Sequence, residues 1–231
     1  MARSTEVAAS MSGYSIGSAV AIEEYQAQEV PMLNDFIKLF ISPILKKYGF
    51  KKQGLKWNRT VGDVIQVIDI QKQRLDQLYF TINVGVLHTH CGHAFEIDMT
   101  KFINEVFCFP RFRLKNYVPD SQFGNDEWWP IGSELQRAGV GEEVSRALEQ
   151  ILLPELDKVD SAAAVLEFSK TFRRSYFPPP EQLEIAILLY LVGKVDESEK
   201  LIEVVAASDY WEKRAEFVRE YIRALDAGSQ E

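Results

Sequence analysis

The stretch that decides the fold is Leu-Tyr-Phe-Thr-Ile-Asn-Val-Gly-Val-Leu, residues 78–87. Aromatic and β-branched residues alternate there with small or polar ones, so an extended chain puts Phe80, Ile82, Val84 and Val86 on one face. Residues 64–73 form a second run of this kind, and Arg74 to Gln77 read as the turn between the two. A third run, Phe50 to Thr60, is basic and alternating, and Val61-Gly62-Asp63 ends it. Connections this short join neighbouring strands antiparallel, which makes a meander.

Outside these strands the period changes. In residues 32–48, Leu33, Phe36, Ile37, Phe40, Ile41, Ile44, Leu45 and Tyr48 recur at helical spacing, with Pro31 at the start and Gly49 at the end. Pro43 breaks the pattern and predicts a kink or a split. On the other side, Asp98 is positioned to cap a short helix carrying Met99, Phe102, Ile103, Val106 and Phe107. Arg111 to Val118 read as a strand, and Asp126 to Ile131 as an edge strand or a packed loop. From Gly141 onward the chain reads as helical. Val144, Leu148, Ile151 and Leu152 make a stripe ending near Pro154, and Ser161 caps a helix to Phe172. Pro178 to Pro180 form a stiff break before helices over 181–192, 197–207 and 210–225.

The expected fold is therefore α+β: an antiparallel β-meander packed by an N-terminal helix and following helices, with a C-terminal helical appendage. The expected divisions are a flexible or loosely attached segment over 1–30, an α+β domain over 31–177 and a helical unit over 178–231. Of 231 residues, 46% are hydrophobic, 12% aromatic and 26% charged, enough for a sizeable core. The net charge of −8 disfavours broad nucleic-acid or anionic-membrane binding. Two cysteines in different contexts make no disulfide framework, which points to reduced thiols and a cytoplasmic location. The first twenty residues hold one basic residue and no long apolar run, unlike a secretory leader, and no stretch suffices to cross a bilayer.

Four segments in fixed order carry a family resemblance: LKKYGFKKQG (45–54), IDIQKQ (68–73), FTINVGV (80–86) and DEWW (126–129). In them, residues 33–131 resemble a bacterial family known as domain of unknown function 4304. The resemblance implies an α+β fold with an antiparallel sheet packed by helices. It implies no activity, and the histidines below are not among the family's motifs.

All three histidines and one of the two cysteines fall within six residues: His88, His90, Cys91 and His93. On a continuing strand His88 and His90 share a face, half of a site for Zn²⁺, with Cys91 or His93 as a third ligand and Cys108 or Asp98 as a fourth. H-x-H-C-x-H lacks the second ligand pair of a zinc motif, so solvated histidines at a strand end are the competing reading.

A basic run, Lys46, Lys47, Lys51, Lys52, Lys56 and Arg59, interleaves Trp57; Arg111, Arg113 and Lys115 extend it on one face of another strand. That composition suits phosphate or nucleic acid, against the plainer reading of a solvated sheet edge. Gln66, Asp69, Gln71, Gln73, Thr81 and Asn83 either line a shallow pocket or bond across strands on a wet face. Of Trp128 and Trp129, one faces the core and the other is accessible to a partner. The chain contains no G-x-S-x-G elbow, Walker loop or G-x-G-x-x-G.

The leading expectation is a cytoplasmic binding protein with no cofactor, acting on a protein partner that it neutralises or regulates through Trp128, Trp129, Lys52, Lys56, Arg111 and Arg113. The alternative is a zinc-binding module or metal-dependent hydrolase centred on His88, His90, Cys91 and His93. A third reading is a nucleic-acid binder using Lys51, Lys52, Lys56, Arg111 and Arg113.

Overall fold

The computed structural model describes residues 32–74, 76, 78–124, 126–171 and 177–228. The expectation for residues 1–30 lies outside them. The protein is α+β. Six strands form one sheet in the order β1-β2-β3-β4-β5, with β6 also on β4. They are β1 (Lys51–Gln53), β2 (Lys56–Val61), β3 (Val64–Lys72), β4 (Tyr79–His88), β5 (Arg111–Arg113) and β6 (Trp129–Pro130). Every pairing is antiparallel. The run expected as one strand over Phe50–Thr60 is a hairpin, because Gly54 takes a φ of +62° and turns the chain back on itself.

Antiparallel register places directly opposed residues on the same side of a sheet. One cross-strand row is Lys52, Trp57, Ile68, Val84 and Phe112. This side of the sheet also carries Ile70, Phe80, Ile82 and Val86, all buried, and it is the main core face. Strand β4 is buried on its other side too, at Thr81, Asn83, Gly85 and Leu87. That departs from a strand with one wet face and makes β4 the spine of the molecule.

Two long helices cover the core face. Helix α1 spans residues 32–47 and α3 spans residues 134–156. Each contains one wide turn, Ile37–Ile41 in α1 and Ala147–Leu152 in α3. Each wide turn is followed by an α-segment with proline in its second position, Pro43 and Pro154. Proline lacks an N–H and crowds the carbonyl one turn back, and a π-turn makes room by shifting the hydrogen-bond register. The helices therefore run through both prolines. Helix α3 starts well before Gly141, at a capping box in which Ser133 Oγ accepts from Gln136 N and the Gln136 side chain returns the bond to Ser133 N.

A buried polar network ties α1 and α3 to the sheet. Arg59 Nε donates to Gln66 Oε1 (2.7 Å), while its other nitrogens reach Tyr48 O (3.0 Å) and Asp157 Oδ1 (2.6 Å). Gln66 Nε2 donates to Leu156 O (2.6 Å) and Val159 O (3.0 Å). These carbonyls lie at helix ends, where helical partners run out. At the opposite edge, Trp129 Nε1 donates to the buried Glu143 Oε1 (2.7 Å), which also accepts from Ser121 Oγ (2.8 Å).

The remaining helices are α2 (Thr89–Ala94), α4 (Ala162–Ser169), α5 (Pro179–Leu191), α6 (Val195–Ala206) and α7 (Glu212–Gly228). The prolines expected as a break open α5 instead, where a missing N–H removes no helical bond. Helices α5 and α7 pack on α2. No helix expected at Asp98 forms: the Asp98 carboxylate turns onto Thr100 N (3.1 Å), and the chain continues as a coil to a single 3₁₀ turn, Glu105–Phe107. Among the described residues, no helix is long and apolar enough to cross a membrane.

At Gly141 the Phe40 ring lies where a side chain would begin, 2.5 Å from an ideal Cβ. In an open helix, Gly→Ala stabilises by about 1 kcal/mol. Here the overpacking term, about 1–3 kcal/mol, is larger and has the opposite sign. Gly141→Ala is expected to lower the urea midpoint at unchanged m-value; a raised midpoint would show that the α1–α3 contact is loose.

Candidate functional site

The second face of the sheet is built differently. A row of five polar side chains crosses all five main strands: Gln53, Lys56, Asp69, Asn83 and Arg113. At ordinary strand spacing it is about 19 Å long. The next row is Lys51, Asn58, Val67, Gly85 and Arg111. Residues 103–108 lie over this second row. Asn58 clamps Ile103 by both its backbone groups, Nδ2 to Ile103 O (3.1 Å) and Ile103 N to Oδ1 (2.7 Å). Gly85 admits the strap's other end, since a Cβ there would sit 2.5 Å from Cys108 Cβ.

Between this strap and the loop after β5 lies a cleft of about 360 Å³. Its floor holds Gln71, Asn83, Arg111 and Arg113; Glu105 hangs from the strap, and Asn116, Tyr117 and Glu127 close the far side. Asn83 Nδ2 donates to Gln71 Oε1 (3.0 Å). Arg113 pairs with Glu127, which also accepts from Asn116 Nδ2 (3.0 Å), and the guanidinium lies over the Trp128 ring at 4.9 Å. Burial raises the Glu105 carboxyl above its ordinary range, with Arg111 opposing. Burial likewise raises Asp69, with Lys56 opposing. Glu105 Oε2 is buried without a hydrogen-bond partner among the described residues.

The structure thus brings together Arg111, Arg113 and Trp128, with Lys56 in the same cross-strand row as Arg113. Lys52 is on the opposite face, its ammonium 5.1 Å from the Trp57 ring centre. Trp129 is fully buried, so of the pair only Trp128 meets solvent. Lys115 does not extend the patch: β5 ends at Arg113, and the buried Lys115 ammonium bonds Phe123 O (2.9 Å), Asp126 Oδ1 (2.9 Å) and Trp128 O (2.5 Å). Sequence reasoning missed Glu105, Asn116, Tyr117 and Glu127, which no local pattern marks as belonging with Arg111.

The histidines lie elsewhere. Strand β4 ends at His88 and α2 begins at Thr89, so strand alternation does not relate His88 to His90. Their rings still stack, with centroids 5.7 Å apart, because His88 caps α2: its Nδ1 accepts from His90 N (3.3 Å). His90 Nδ1 meets Tyr221 Oη of α7 (2.9 Å). The Cys91 thiol is buried and turned to Glu184 O (3.8 Å). Among the described residues, no three His, Cys, Asp or Glu side chains converge to hold a metal ion.

Fold and site together define an α+β protein with a meander sheet whose one face is core and whose other face holds a polar cleft. Residues 41–158, just over half of the chain, match the model of a family described as a domain of unknown function (DUF4304), and the chain belongs to that family. The match contains all of the cleft and extends through α3, beyond the segment that carried the resemblance. No curated protein and no solved structure matches the chain.

Burial holds His88 below its ordinary pKa, and His90 adds to the effect. The unfolded chain therefore takes up a proton more readily, and neutral His88 contributes stability at high pH that is lost as pH falls below about 6.5. The difference in unfolding free energy between wild type and His88→Gln is expected to be flat above pH 7.5 and to shrink toward pH 5.5. A difference independent of pH would show that the cap does not depend on the neutral ring.

Proposed function

We propose that this protein is a binding protein and that its working surface is the cleft on the polar sheet face, where it takes a segment of a partner polypeptide. The observation that carries the reading is the cross-strand polar row ending in a cleft where guanidinium, amide and carboxylate groups converge. Amides and charged groups both donate and accept, as a main chain with polar side chains requires. Pockets for small apolar ligands are mostly apolar, and this lining is mostly polar. Arginine, tyrosine and tryptophan, the residues enriched at interface hot spots, all stand at or beside it as Arg111, Arg113, Tyr117 and Trp128. Val106 and Phe107, next to Glu105 in its turn, are half exposed, which suits the apolar part of a partner.

The test is selection of a random dodecapeptide display library on the full chain. Selected peptides are expected to bind at least ~10-fold more weakly to Asn116→Trp, which fills the cleft from an exposed position. Peptides that bind wild type and this variant equally would overturn the reading.

A further inference from the structure

We infer that the cleft reads a basic side chain, lysine or arginine, of its partner, and that Glu105 is the residue that receives it. The inference rests on the reading of the cleft as a partner-binding surface. Three cations, Lys56, Arg111 and Arg113, stand in or beside the cleft with three carboxylates, Asp69, Glu105 and Glu127. Most of these charges are already matched within the molecule. Arg113 is ion-paired with Glu127, and Lys56 lies directly across the strands from Asp69. Glu105 differs, because its Oε2 is buried and receives no hydrogen bond among the described residues.

A buried acceptor without a donor is costly, and such groups are rare unless something outside the chain completes them. An ammonium or guanidinium group supplies both the donor and the compensating charge. The net charge of −8 draws a cationic partner in from a distance. Once docked, the aliphatic stem of a lysine or arginine has apolar surface available at Val106 and Phe107, the two residues that follow Glu105 in its turn. Burial raises the Glu105 carboxyl above its ordinary range against the opposing pull of Arg111, so a donor brought to it has a desolvated acceptor to meet.

The experiment uses peptides selected from the dodecapeptide library on the full chain, titrated calorimetrically against wild type and Glu105→Gln. The substitution keeps the shape of the side chain, and circular dichroism checks that the variant folds. Each cleft-dependent peptide is expected to contain a lysine or arginine whose replacement by norleucine or citrulline weakens binding to wild type about 10-fold or more. The same replacement is expected to change binding to Glu105→Gln less than ~2-fold, which locates the contact by a double-mutant cycle. Cleft-dependent peptides without a basic residue would overturn this inference and leave the cleft reading standing. So would equal losses in wild type and Glu105→Gln. Failure to select any cleft-dependent peptide would overturn both.

Discussion

The register of β3 on β4 is the constraint on which the rest of this molecule depends. With Ile68 opposite Val84 and Asp69 opposite Asn83, each residue on these strands is assigned to the core face or the polar face. A slip of one position would send Phe80, Ile82, Val84 and Val86 to the polar side and bring Asn83 and Thr81 to the core. Each large apolar side chain contributes about 1.5–3 kcal/mol on full burial, so four of them hold the register against any single polar contact. The cleft inherits its geometry from this assignment. Its polar row is the same set of strands seen from the other side.

On the core face, Arg59, Gln66, Glu143 and Trp129 are joined to partners, and their bonds fasten helix ends and a loop to the sheet. Such a network rigidifies the body. On the cleft face, Glu105 carries a buried oxygen that the described chain leaves without a donor. The strap that carries Glu105 is itself pinned by Asn58 and by the close approach at Gly85, which holds this carboxylate in place for a partner to complete.

Much of the fold was legible along the chain. The strands over 64–73 and 78–87 and the helix over 32–48 stand out because each buries a continuous face, and burial imposes a period. The errors have particular causes. Phe50–Thr60 looked like one strand because Gly54 gives little local sign of the reversal it makes. Met99 and Ile103 match a helical period, yet each packs onto the core from outside any helix. The start of α3 was missed although Ser133 and Gln136 spell a capping box, because that part of the helix lacks a clear apolar stripe.

The α+β class, the antiparallel meander and the family are written along the chain, since period, turn residues and short connections are local properties. Only the tertiary structure decided that Glu105, Arg111, Asn116 and Glu127 share a cleft, that Lys115 and Trp129 serve the core, and that His88, His90 and Cys91 point to separate partners. Those outcomes depend on which distant segments a side chain meets once β4 is covered on both faces, and spacing along the chain carries no record of contacts made across it.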